Sequence, residues 1–368
     1  MSEFTNRNIG LDLIRAMAII MVLISHSRHI LHADSFLLGD GMWRLSVCGF
    51  YGVELFFVLS GFLIGRILIK MLTSGNINNW ANILLFLKEF WVRRWFRTIP
   101  LYILMFIVNY VLFFGGNSEH IHIPLWKYLL FWQNYDPVSL SFFPESWSLC
   151  VEEWFYVTIP ITLTISYKYR KNVSFVIVSV ILLVTFARII YVLYVGSDNL
   201  MWDYQIRRNT FLRLDSLGIG MILACIFLQK KAFEIFSSKQ ALILGLCGIL
   251  FNMFLFMNNR EFVESIYAKT VLFNTTSISW GLVMCYAYNI KIEQKFGGGG
   301  ITLLSKISYS VYLIHLPIVA FVAEYTLNIH SMIYKGLLYC CTWILVFILS
   351  YFMYRYYEYP IMNLRDKV

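Results

Sequence analysis

Residues 10–27 read Gly10-Leu-Asp12-Leu-Ile-Arg15-Ala-Met-Ala-Ile-Ile-Met-Val-Leu-Ile-Ser25-His26-Ser27. The run is close to the ~20 residues a helix needs to cross a bilayer, yet it holds an aspartate, an arginine and a histidine. No A-x-A-like cleavage pattern follows it, so it reads as a retained span and not as a signal peptide. Asp12 and Arg15 are neighbours on one helix face and form an expected ion pair. Arg15 and His26 differ by only about 20° around the helix at ~100° per residue, and by ~16 Å along it. The two side chains are thus expected to line one passage at two depths, which suits a ligand with a charged head and a long arm.

Further apolar stretches of spanning length fall at 50–72, 96–114, 147–166, 173–195, 211–228, 240–257, 268–290, 305–326 and 332–355, with the first at 11–31. The composition agrees. The chain is 59% hydrophobic and 14% charged, with mean hydropathy +0.66. A soluble domain holds roughly 45–50% apolar and ~25% charged residues, and a water-soluble core of this size could not bury the excess. The expected fold is all-α: a polytopic membrane protein of about ten transmembrane helices around a central pore, forming one membrane-embedded domain over residues 1–368. The segment 125–133 is too short to span and reads as interfacial or re-entrant. Residues 77–92 read as a separate amphipathic helix on the membrane surface, and 297–300 as a glycine loop.

The basic residues set an orientation. One set of alternate loops holds Arg7, the 70–97 cluster, Lys168–Lys171, Lys230, Lys231, Lys239, Lys291, Lys295, Lys306 and the Lys and Arg of the C-terminus. The other set holds less than half as many, and the positive-inside rule places both termini in the cytoplasm. The formal charge of +9 is therefore mostly a topology signal. No basic patch interleaved with aromatics points to nucleic acid. The seven cysteines form no CxxC pair, so neither a disulfide framework nor a metal site is expected.

Ionisable groups inside spans usually face a cavity or a partner. His26 reads either as a structural histidine bonded to a backbone carbonyl or as a general base, since imidazole titrates near neutrality. Glu54, in Tyr51-Gly52-Val-Glu54, is an interfacial carboxylate or a site residue, and Gly52 and Gly61 permit close helix approach. Arg93, Arg94 and Arg97, before Pro100, form either a cytoplasmic topology cluster or a phosphate clamp. Glu152 and Glu153 enter a span side by side and project about 100° apart, so one at most faces a given cavity. Arg213 and Asp215 are an expected pair. His315 precedes the helix-kinking Pro317, whose kink leaves carbonyls that a histidine can satisfy.

In order and spacing these residues resemble the acyltransferase 3 family of bacterial membrane O-acyltransferases, from Leu11 to about Pro360. The carriers are Arg15 and His26 separated by ten residues, the Gly-Val-Glu-Leu-Phe-Phe-Val-Leu-Ser-Gly stretch at 52–61, Arg94-x-x-Arg97, Trp147-Ser148-Leu-x-x-Glu152-Glu153, and Tyr309-Ser-x-Tyr-Leu-x-His315. Glu54 stands where aspartate is common. The resemblance implies ten helices and transfer of an acyl group, usually acetyl, from cytoplasmic acyl-CoA to a hydroxyl. The acceptor is a cell-surface or lipid-linked glycan such as a lipopolysaccharide O-antigen or an exopolysaccharide. It also implies a place in the bacterial cytoplasmic (inner) membrane. Many members carry a fused esterase-like domain; a stand-alone form is expected here. His26, Glu152 and Glu153 are the expected catalytic set, and Arg15, Arg93, Arg94 and Arg97 the expected donor-binding set. Asp12, Glu54, Trp147, Ser148, Arg213, Asp215 and His315 are expected to bind substrate or support the site. The rival reading is a transporter in which Asp12, Arg15, His26, Glu152 and Arg213 form a substrate or proton path; no inverted repeat favours it.

Overall fold

A computed structural model describes residues 7–31, 39–74, 79–115, 121–135, 142–169, 171–292 and 298–364. Among them there is no strand, and the chain is helical almost throughout. The helices are α1 (Ile9–Ser27), α2 (Gly39–Ser74), α3 (Trp80–Phe114), α4 (Leu125–Leu129), α5 (Ser146–Lys168), α6 (Val173–Val195) and α7 (Leu214–Phe227). They continue as α8 (Lys230–Phe236), α9 (Lys239–Asn258), α10 (Ile266–Thr270), α11 (Leu272–Ala287), α12 (Gly298–Tyr325), α13 (Met332–Met353) and α14 (Tyr359–Leu364).

Seven of the described helical stretches are long and apolar enough to cross a membrane: Ile9–Leu31, Arg44–Thr73, Trp80–Leu112, Val173–Val195, Lys239–Asn258, Gly298–Asn328 and Met332–Leu364. The other three expected spans are helices as well. Of these, α7 and α11 have 14 and 16 residues, and α5 carries Glu152, Glu153 and Lys168. The protein is a multi-pass membrane protein.

Three local expectations change. The stretch 77–92 is not a separate surface helix: α3 runs unbroken from Trp80 through Pro100 to Phe114. Its first half is amphipathic, with Trp80, Leu84 and Leu85 exposed and Ile83, Phe86, Leu87 and Phe90 buried. Pro100 removes the donor that would bond the Phe96 carbonyl one turn back, and side-chain hydroxyls bond two other carbonyls close by. Tyr309 Oη donates to the Thr98 carbonyl at 2.7 Å and Tyr357 Oη to that of Pro100 at 3.2 Å. Gly298 to Gly300 open α12 instead of forming a loop, while Gly297 lies outside the described residues. The second span begins earlier than expected, in a helix that starts at Gly39. The stretch 125–133 holds the short helix Leu125–Leu129 and ends where the 3₁₀ turn Gln133–Tyr135 begins.

The chain divides into two compact units. The first comprises Met1–Val53, Trp95–Ser118 and Ile290–Val368; the second comprises Glu54–Arg94 and Glu119–Asn289. Within the first, α1 packs along α12, and α12 along α13. Ile30, Val319 and Ala323 form a buried cluster there, and Trp343 Nε1 donates to Ser27 Oγ at 3.0 Å. Within the second, α9 packs on α11 and α6 on α7. The α2–α7 crossing in that unit depends on two glycines. A Cβ at Gly61 would lie 1.9 Å from the Leu217 carbonyl oxygen, and one at Gly220 would lie 2.1 Å from that of Val58. The backbones touch where side chains are missing.

The second unit also buries an ionic network. Glu54 accepts from Arg213, from Ser216 at 2.9 Å and from Ser277 at 3.3 Å. Arg188 donates to Asp215 at 2.9 Å, to Asn274 at 2.5 Å, and to the carbonyls of Leu212 and Thr270 at 2.6 and 2.7 Å. The expected partners Arg213 and Asp215 lie near enough for the Asp215 charge to act on Arg213, but their direct ion pairs are with other residues. Arg213 takes Glu54, and Asp215 takes Arg188, with both guanidiniums over the Phe273 ring. All four charged side chains are fully buried, and removing one partner of such a pair costs about 3–5 kcal/mol.

Candidate active site

The first unit brings two histidines together. His26 stands at the C-terminal end of α1 and His315 in the middle of α12, two residues before Pro317. His26 Nδ1 lies 2.7 Å from His315 Nε2, the rings nearly parallel with centroids 5.0 Å apart. His315 Nδ1 lies 3.0 Å from the Val311 carbonyl oxygen, and His315 is wholly buried. These contacts decide the tautomers. A carbonyl only accepts, so His315 Nδ1 carries the hydrogen; a neutral imidazole has one, so His315 Nε2 is an acceptor. His26 Nδ1 must then donate to it, which leaves the lone pair of His26 on Nε2. A nitrogen so arranged is set up as a base.

At the other end of α1, Asp12 is bound by Arg7 at 2.5 Å and by Ser305 Oγ at 2.6 Å. Asp12, expected to pair with Arg15, is taken bidentately by Arg7, just before the helix, through Nε and Nη2. Arg15 and Arg97 both lie near Glu358, close enough for their guanidiniums to act on its carboxylate. Glu358 is buried and accepts from Ser310 Oγ at 2.7 Å. Sequence reasoning missed Glu358. It stands among the tyrosines of 351–359 and close to Arg355, a pattern that does not single it out.

The second unit holds the other polar constellation. Glu152 accepts from Ser60 Oγ at 2.8 Å and from Tyr156 Oη at 2.9 Å, and Arg94 Nη2 lies 3.5 Å from it. The Arg94 guanidinium sits over the Tyr156 ring at 4.1 Å. Glu153 is more deeply buried than its neighbour, as two residues 100° apart require. Arg93 is exposed and pairs with Glu89 at 2.8 Å, one turn back. Trp147 and Ser148 are buried, Trp147 edge-on to Phe57 with Arg207 over its ring at 4.7 Å. Glu54, Arg213 and Asp215 belong to the buried network. Just before α5, Glu145 is buried, and burial pushes its carboxyl up to about 8. Ser60 and Tyr156, partners of Glu152, were not singled out by sequence. Tyr156 was reachable in principle, because it follows Glu152 by one helical turn.

Among the described residues no group of three His, Cys, Asp or Glu could hold a metal ion. A family model described as an acyltransferase domain matches residues 8–360. The chain is similar to the O-acetyltransferases OatA of Staphylococcus aureus strains NCTC 8325 / PS 47 and COL, each 26% identical over 378 residues. Those alignments cover 96% of this chain and 57% of the relatives, so the chain spans little more than half their length. No solved structure matches.

Proposed function

We propose, from the premise that the chain belongs to the acyltransferase 3 family, that it is a membrane O-acyltransferase that moves an acetyl group from acyl-CoA to a glycan hydroxyl. The observation that carries the reading is the hydrogen-bonded chain from the Val311 carbonyl through His315 to His26. The acceptor hydroxyl gives its proton to His26 Nε2 as its oxygen attacks the thioester carbonyl. The carbon–sulfur bond then breaks and the departing sulfur takes that proton back, so the products are the ester and free CoA. General-base catalysis of this kind contributes roughly 10²–10⁴-fold. His315 holds His26 in the required tautomer and helps spread the charge of the transient imidazolium.

The arginines fit a polyanionic donor. Arg15 and Arg97, both near Glu358, supply guanidiniums for the CoA phosphates, which such forks bind bidentately. Glu152, held by Ser60 and Tyr156, is a fixed acceptor for sugar hydroxyls, beside the buried Glu153. The acceptor class is a cell-surface or lipid-linked polysaccharide at a bacterial cytoplasmic membrane. The names of the O-acetyltransferase relatives support the acetyl group.

Membranes carrying the wild-type chain should release CoA from acetyl-CoA in the presence of acceptor glycan, and His26→Ala should abolish release at unchanged protein level. Full release by the alanine variant would remove His26 from the chemistry.

A further inference from the structure

Most partly or fully buried cations in the second unit have a carboxylate: Arg94 has Glu152, Arg188 has Asp215, Arg213 has Glu54, Arg207 and Arg208 have Asp203, and Lys269 has Glu264. Arg66 is different. It is half-buried on α2, and among the described residues its guanidinium makes no hydrogen bond and no ion pair. What surrounds it is aromatic. Its Cζ lies 5.7 Å from the Phe62 ring, 4.4 Å from that of Phe227 and 5.6 Å from that of Tyr288. Those rings are fixed against one another and against buried Phe233 at centroid distances of 4.9 to 6.3 Å.

The chemistry of such a site is specific. Aromatic faces stabilise the flat cation without neutralising it or using its N–H groups. The N–H fork stays available for a planar or tetrahedral oxyanion, bound bidentately. Arg66 lies inside the apolar stretch Arg44–Thr73, eight residues before the end of α2, hence ~12 Å along the helix from it. A cation at that depth normally has a partner or lines a pathway. The flanking side chains indicate which anion. Ile67 is 47% exposed and Leu228 58% exposed, apolar shoulders of the kind that face hydrocarbon. Lys70, one turn further along α2, and Lys230 and Lys231 at the start of α8 are exposed cations. Apolar shoulders beside a cation, with lysines towards the helix end, match a lipid: acyl chains on the shoulders, headgroup phosphate on the guanidinium.

We infer that Arg66, in its cage of Phe62, Phe227 and Tyr288, binds the phosphoryl headgroup of an anionic lipid. The site is independent of the transfer chemistry. Native mass spectrometry of the full chain in a neutral detergent tests it, with separate titrations of phosphatidylglycerol, dioleoylglycerol (a phosphate-free lipid) and CoA. Wild type should retain phosphatidylglycerol but not dioleoylglycerol, and CoA should not displace it. Arg66→Ala should bind phosphatidylglycerol about tenfold more weakly, the loss expected for one charge-assisted contact. Arg66→Lys, which keeps the charge and the ring contacts but loses the fork, should lie between and serves as the folded control. Equal retention of phosphatidylglycerol by all three proteins overturns the site. Displacement by CoA that depends on Arg66 overturns the lipid assignment in favour of a soluble phosphate.

Discussion

If His315 fixes the tautomer of His26, substitutions at position 315 should rank by where they place an acceptor. Glutamine puts its amide oxygen close to the place of Nε2, 2.7 Å from His26 Nδ1. Asparagine, one methylene shorter, puts its amide near Nδ1, facing the Val311 carbonyl, and leaves the Nε2 place empty. Alanine removes both. The lost interaction is one buried hydrogen bond, whose removal costs about 1–3 kcal/mol and hence roughly 5- to 150-fold in rate. CoA release by purified protein at saturating donor should therefore fall least for His315→Gln, and by the larger factor for His315→Asn and His315→Ala. The KM for donor should stay near wild type, because the perturbed bond lies on the base. Equal activity of the asparagine and glutamine variants would refute the tautomer argument. A glutamine variant as poor as alanine would mean that His315 must itself accept the proton.

Two further outcomes rest on packing and burial. Gly61→Ala or Gly220→Ala drives a methyl into a facing carbonyl oxygen, and each should destabilise the protein by about 1–3 kcal/mol, read as a lower unfolding temperature in detergent. For Glu145 the sign follows from its raised folded value of about 8 against the ordinary 4.5. The folded protein binds the proton more tightly, so the neutral carboxyl's full contribution is present below about 4.5 and is lost as pH rises through about 8. Unfolding temperature should fall over that window, and Glu145→Gln should flatten the slope.

The features legible in sequence were those confined to one helix. The 100° step between Glu152 and Glu153, which leaves one half-buried and the other buried on α5, follows from the rise and turn of a single element. Choice of partner was not legible. Spacing placed Asp12 within reach of Arg15 and Arg213 near Asp215, but not the direct ion pairs of Asp12 with Arg7 and of Arg213 with Glu54, because a buried charge is stabilised by any opposite charge with good geometry, wherever in the chain it lies. His26 and His315 are 289 residues apart, and no local pattern joins them.

Glu358 was hidden for a different reason, which bears on how such sites are found. It closes the π turn Tyr354–Glu358, where each turn holds more residues than the α-helix and the 100° projection loses its phase. Counted as α-helix, the terminus offers no reason to set Glu358 apart from its tyrosines. With the wider turn, Tyr356 is 72% exposed while Glu358 turns inward onto Ser310. A carboxylate near Arg15 and Arg97 gives that turn a physical reason, because the attraction of opposite charges offsets the cost of a π turn inside a membrane helix.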